Sequence, residues 1–142
     1  MRDWIEPKTD WEYPDALNYW DYNRIRNNLL YLNDKANEHF PPEETLDLGD
    51  EKAIGDKYFA REINAFEQAL ERLNHRGYRY DLGQTKTFTP LGKFIDDAEK
   101  NRLEKGCLKL YQMFEQIEQG KRTAFRANGT DFVDNGEVDD GN

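Results

Sequence analysis

A chain of 142 residues suits one domain, and at that length it can bury roughly two-thirds of its unfolded surface, so it needs neither disulfides nor a metal to fold. With 37% hydrophobic, 35% charged and 13% aromatic residues, the composition is that of a soluble domain with a small, ring-rich core. A net charge of −9, with Lys and Arg interspersed among 29 acids, argues against nucleic acid as a partner and suits solubility or a basic protein partner.

The chain starts Met1-Arg2-Asp3-Trp4 with no apolar run behind it, so neither a signal peptide nor a membrane span is expected. Residues 1–17 carry Trp4, Trp11 and Tyr13 with Pro7 and Pro14 and show no periodicity, which makes them an irregular arm. Its aromatics either seal one end of the core or form a stacking platform for sugars, and the first is favoured. A first helix is expected over about residues 19–37. Asn18 is its N-cap, Asp21 its capping-box acid, and Tyr22, Ile25, Leu29, Leu32 and Ala36 its apolar stripe. Pro41-Pro42 ends it. A polar connection follows, pinned by Leu46 and Leu48.

The second helix is expected from about Asp56 to His75, with Phe59, Ile63, Phe66, Leu70 and Leu73 inward and Gly77 closing it. Residues 78–92 alternate Thr and aromatics around Gly83, the pattern of a short β-hairpin or an extended excursion. Asp96 with Glu99 starts a third helix near Asp97, striped by Leu103, Cys107, Leu110, Phe114 and Ile117 and ended by Gly120. The lone cysteine, Cys107, lies on that stripe and reads as a small buried hydrophobe rather than a nucleophile. Gly106 permits a close approach by a neighbour. The expected fold is an all-α three-helix bundle over residues 1–125, followed by an acidic tail over 126–142. In that tail Phe132 and Val133 precede Asn135-Gly136, a hairpin signal; the tail is expected to be disordered in the free protein and to order by pairing with another chain or by packing onto the bundle.

The three helices share one template: Asn, then apolar residues two, six and nine places on, from Asn23, Asn64 and Asn101. The apolar positions fall on one helical stripe. The asparagines at 23 and 101 are followed by Arg24 and Arg102, and these pairs fall at b and c of the heptad, outside the helix–helix seam. Two explanations compete. The guanidiniums reach carboxylates or carbonyls in the arm, the loops or another subunit, or the pairs are a solvated relic of duplication.

Chemistry is sparse. His39 and His75 cannot build a histidine metal centre. The acidic run around Asp131–Gly136 fails the EF-hand pattern because Val133 stands where an oxygen ligand is needed. Acid pairs such as Glu43-Glu44 and Asp96-Asp97 are expected by chance among 29 acids. No catalytic, cofactor or metal residue is therefore assigned. The candidate interaction residues are Asn23, Arg24, Asn101, Arg102, Trp4, Trp11, Phe132 and Val133.

Thr9-Asp10-Trp11, then Asp21-Tyr22-Asn23-Arg24-Ile25 with Asn28 and Tyr31-Leu32, and later Asn101-Arg102-Leu103-Glu104-Lys105, resemble small helical proteins from tail-structure modules of phages and prophages of Gram-positive bacteria. The resemblance covers most of residues 9–117 and departs at the second helix and the tail. It implies a non-enzymatic virion structural protein of the tail or baseplate, made in the bacterial cytoplasm and partnered by other virion proteins or itself. The alternatives are a cytosolic adaptor or regulator and, behind it, a glycan-acting hydrolase with two carboxylates across a cleft.

Overall fold

The computed structural model describes residues 2–12, 16–77, 79–92 and 94–130, with side chains as far as residue 120. Among these residues all regular structure is helical: α1 (Tyr19–His39), α2 (Ala60–Arg76) and α3 (Asp97–Thr130). The chain divides after Leu110 into two units. The first holds α1, α2 and the start of α3; the described part of the second, residues 111–130, is the rest of α3.

The helix starts follow the capping logic of the sequence. Asn18 accepts from the Asp21 N–H, and the Asp21 carboxylate accepts from the Asn18 N–H, closing a capping box. Asp96 accepts from the Glu99 N–H at 3.0 Å. The α2 start differs from expectation. Phe59 is not part of an inward stripe but caps the helix in extended backbone, half exposed, and Glu62 accepts its N–H at 2.9 Å. The Glu62 carboxylate thus places the boundary one turn later than apolar spacing alone suggests. Gly120 does not end α3, which runs on to Thr130, so residues 126–130 of the expected tail are helical. A single glycine inside a long helix costs only about 1 kcal/mol relative to alanine, too little to stop it. The remainder of that tail, including Phe132 and Val133, lies outside the described residues. No strand is assigned in residues 79–92 among those described. The extended alternative holds there, for reasons given below.

Apart from Phe59 and Ile117, which is only half-buried near the end of the expected α3 stripe, the inward stripes are buried as periodicity demands. Leu29, Leu32, Ala36 and Leu110 have no exposure, and Ile25, Phe66, Leu70, Leu73, Leu103, Cys107 and Phe114 are all at 3% or less. The Tyr22 and Phe66 rings meet at 4.8 Å between centroids, joining the N-terminal halves of α1 and α2. At the other end Arg76, in the last turn of α2, donates to the carbonyls of Ala36 and Phe40, at the end of α1. The two helices are therefore parallel. Arg102 meets Glu67 and, one turn further on in both helices, Gly106 meets Leu70, so α3 starts off in the same direction as α2. Parallel neighbours require each connection to run the full length of a helix. The acids Asp21, Glu62 and Glu99 sit at the three positive helix ends.

Cys107 is fully buried. Burial first, and the neighbouring Glu104 charge second, push its thiol well above the ordinary thiol range. The expected outcome is that an aromatic disulfide reagent leaves Cys107 untouched in the native protein and reacts stoichiometrically in denaturant. Rapid native-state reaction would place α3 differently.

Candidate functional site

The connections and the arm share one construction. Each lies along a helix and is held by asparagine amides that bond both ways with one backbone residue. Asn23 donates to the Lys52 carbonyl at 2.9 Å and accepts from the Lys52 N–H at 2.7 Å. Asn64 does the same with Phe88 at 2.8 and 2.7 Å, and Asn101 with Trp11 at 2.9 and 2.7 Å. These are the three template asparagines. Asn28 with Ile5, Asn37 with Glu44 and Asn74 with Tyr80 repeat the device. A primary amide presents the same donor and acceptor as a peptide unit, so it pairs with an isolated backbone segment as a neighbouring strand would. Residues 79–89 need no hairpin partner for this reason: Asn74 and Asn64 supply the edge.

We call the three held segments straps: residues 44–52 on α1, 79–89 on α2, and the arm, 2–12, on α3 and α1. Residue three after the template asparagine grips the strap again, two or three residues before the clamped one. Glu104 accepts from the Lys8 N–H at 3.1 Å, Glu67 accepts from the Lys86 N–H at 3.1 Å, and Arg26 donates to the Gly49 carbonyl at 2.9 and 2.5 Å. Gly83 is where the second strap crosses Arg102. Its φ of +82° favours glycine, and a Cβ there would meet the Arg102 Cδ at 2.6 Å.

The arginine after the asparagine then links one repeat to the next. Arg24 forks onto Glu104 at 3.0 and 2.5 Å and also pairs with Asp21 at 3.0 Å. Arg102 pairs with Glu67 and with Glu99, the latter at 2.7 Å. In the order of the repeat the third link would join residues 65 and 26, which are Ala65 and Arg26. The two changes match: the repeat that lacks the glutamate is also the one whose neighbour lacks the arginine. Burial works against both guanidinium charges, but the carboxylates outweigh it, and the pKa of each arginine is raised.

Two seats, those of α2 and α3, differ in one atom's environment. Glu104 is 1% exposed, and its Oε2 also accepts from the Trp11 indole N–H at 2.8 Å. Glu67 is equally buried, but its Oε2 has no hydrogen-bond partner among the described residues. The clamped strap residue there is Phe88, whose ring has no donor. Glu67 also lines a cavity of about 200 Å³ with Asn74, His75, Tyr80 and Arg102. Burial pushes its carboxyl above the usual range, against the bonds from Arg102 and Lys86. A donor on Oε2 favours the ionised form. Phe88→Trp should therefore add about 1 kcal/mol at pH 7, a gain that is present above the carboxyl's pKa and fades as pH falls through it. Urea titrations at pH 7 and pH 4 read this; equal stability of variant and parent at both pH values would break the equivalence of the two seats.

The expected interaction residues are thus placed as follows. Asn23, Arg24, Asn101 and Arg102 are brought together at the helix starts and are engaged within the chain, so solvation does not describe them. Trp11 is 4% exposed between the Lys8 and Lys100 ammonium groups, at 5.3 and 4.3 Å from its ring centroid. Trp4 is half-buried and packs on Tyr31 at 5.6 Å. Sequence reasoning missed Glu67 and Glu104. The available signal was glutamate three after asparagine in two of the three repeats.

Fold and site together define an all-α, three-helix domain whose parallel helices carry backbone straps. No protein-family model, no curated protein and no solved structure matches this chain.

Proposed function

We propose that the protein is a non-enzymatic structural component of a phage or prophage virion, in the tail or baseplate, and acts by assembling with other subunits. The observation that carries this reading is what the resembling motifs do. The polar residues of the Asp21–Asn28 and Asn101–Glu104 stretches, Asp21, Asn23, Arg24, Asn28, Asn101, Arg102 and Glu104, are engaged in capping, strapping and cross-linking the helices. A motif used this way specifies a scaffold, and a scaffold works through its outer surface. That surface offers large exposed apolar side chains before or at the helix starts: Trp20 on α1, Ile54 and Phe59 ahead of α2, Leu91 and Phe94 ahead of α3. Among the described residues no helix is long and apolar enough to cross a membrane. In this reading Phe132 and Val133 pair with a neighbouring chain.

Mass spectrometry of density-gradient-purified particles is the test. The chain should co-purify in fixed ratio to a major tail protein. If it is confined to the soluble lysate, the cytosolic adaptor or regulator replaces this reading; peptidoglycan clearing by the purified protein would replace it with a hydrolase.

A further inference from the structure

In a chain built of helix–strap repeats, each strap follows its own helix. The first strap follows α1 and the second follows α2, both running back from the helix end to its start. The strap of α3 does not follow α3. It is the arm, bonded to Asn101 and Glu104 from 90 and 96 residues upstream. Its direction along α3 is the same as in the other two, with Lys8 against Glu104 before Trp11 against Asn101.

We infer that the seat for the arm on α3 and α1 is an intermolecular joint: the arm of one copy of this chain seats on a second copy, through the contacts seen here within one copy. The inference stands on the repeat geometry and does not depend on the virion reading.

Three observations carry it. First, the whole seat, Asn28 on α1 with Asn101 and Glu104 on α3, belongs to the body of one copy. An incoming arm from a neighbour would find every partner that the resident arm finds. Exchange therefore changes no contact, which is the condition under which swapping elements between protomers is cheap. Second, the joint has its own key. The clamps recognise only backbone and would accept any strap. The Trp11 indole N–H on Glu104 Oε2, 2.8 Å long, has no counterpart at Lys52 or Phe88. An arm thus fits the α3 seat and is distinguished from the chain's other straps. Third, the arm and the α3 part of its seat, Asn101 and Glu104, lie at opposite ends of the repeat order. Handing the arm to the next copy continues the series helix, strap, helix, strap from chain to chain. Such a head-to-tail link either closes into a ring or extends.

What keeps an isolated copy closed is effective concentration. A tethered arm sees its own seat at about millimolar concentration, so exchange should dominate only when copies are packed to that density, as within an assembly.

The Trp11 ring supplies the test. The Lys8 and Lys100 ammonium groups, one on the arm and one on α3, both lie within 5.3 Å of its centroid. A short lysine–lysine cross-linker joins them. Equal amounts of unlabelled and ¹⁵N-labelled full-length protein are mixed, held at about 10 μM or about 1 mM, diluted and cross-linked. The Lys8–Lys100 product should carry a single isotope at the lower concentration and approach about one quarter mixed-isotope pairs at about 1 mM, where about half the seats hold a neighbour's arm and half of those neighbours carry the other isotope. Single-isotope pairs at both concentrations overturn the inference. So do mixed pairs that persist undiminished when both copies carry Trp11→Ala, because they would then reflect collision rather than seating. As a second measurement, the full-length Trp11→Ala chain, whose own arm lacks the key, is titrated with a synthetic peptide of residues 1–12. Binding at least tenfold tighter than that of the peptide carrying Trp11→Phe supports the joint. No binding, or equal binding, overturns it.

Discussion

Replacing Glu104 with alanine should destabilise the protein by about 3–5 kcal/mol, the range for breaking one side of a buried ion pair. This carboxylate is 1% exposed and holds four donors from two parts of the chain, the arm and α1: the Lys8 N–H, the Trp11 indole, and two nitrogens of Arg24. Its removal leaves the Arg24 guanidinium, 13% exposed, with Asp21 as its one carboxylate partner among the described residues, and takes the Glu104 acceptor from two arm donors. The diagnostic comparison is the double variant Arg24→Met with Glu104→Leu. It removes both charges and keeps apolar volume, so it should recover a large part of the loss. Urea unfolding of the parent, both single variants and the double variant gives the coupling directly. A Glu104→Ala loss below about 1 kcal/mol would mean that the pair behaves as an exposed one.

Leu29→Ala and Leu70→Ala should each cost about 2–5 kcal/mol, since both side chains are almost wholly buried and neither site can collapse freely. Leu70 belongs at the upper end. It lies beside Gly106, where a Cβ would come within 2.7 Å of the Leu70 Cδ2, so α2 and α3 are already as close as a missing side chain allows. The void left by Leu70→Ala cannot be closed by further approach there. Adding Gly106→Ala to that variant fills part of the space and adds helix propensity, so the double variant should be more stable than Leu70→Ala alone. Thermal unfolding followed by circular dichroism tests the order; a double variant less stable than Leu70→Ala would show that the α2–α3 contact is not at this glycine.

Much of the helical framework was legible because it rests on local rules. Asn18 with Asp21 and Asp96 with Glu99 mark helix starts through short-range bonds to backbone N–H groups. Period-3.6 apolar spacing marks the inward stripe without reference to what covers it. The boundary of α2 was misplaced because the Glu62 capping bond to Phe59 uses a backbone donor and leaves no trace in apolar spacing. The Asn-Arg pairs were visible as a recurrence, but their role was not. Heptad reasoning puts them outside the seam only if helices are the sole neighbours, and here straps fill the grooves beside it.

The sequence alone therefore determined three helices, their inward stripes and the burial of Cys107, because periodicity and capping are properties of a dozen consecutive residues. Only the tertiary structure decided that the helices run parallel, that the arm is the strap of α3, that Glu104 is fully paired, and that Glu67 Oε2 has no hydrogen-bond partner among the described residues. The physical reason lies in the clamp itself. On the helix side it requires asparagine, which can be read. On the strap side it uses a peptide N–H and carbonyl, which almost every residue possesses, so the partner 24 to 90 positions away carries no signature.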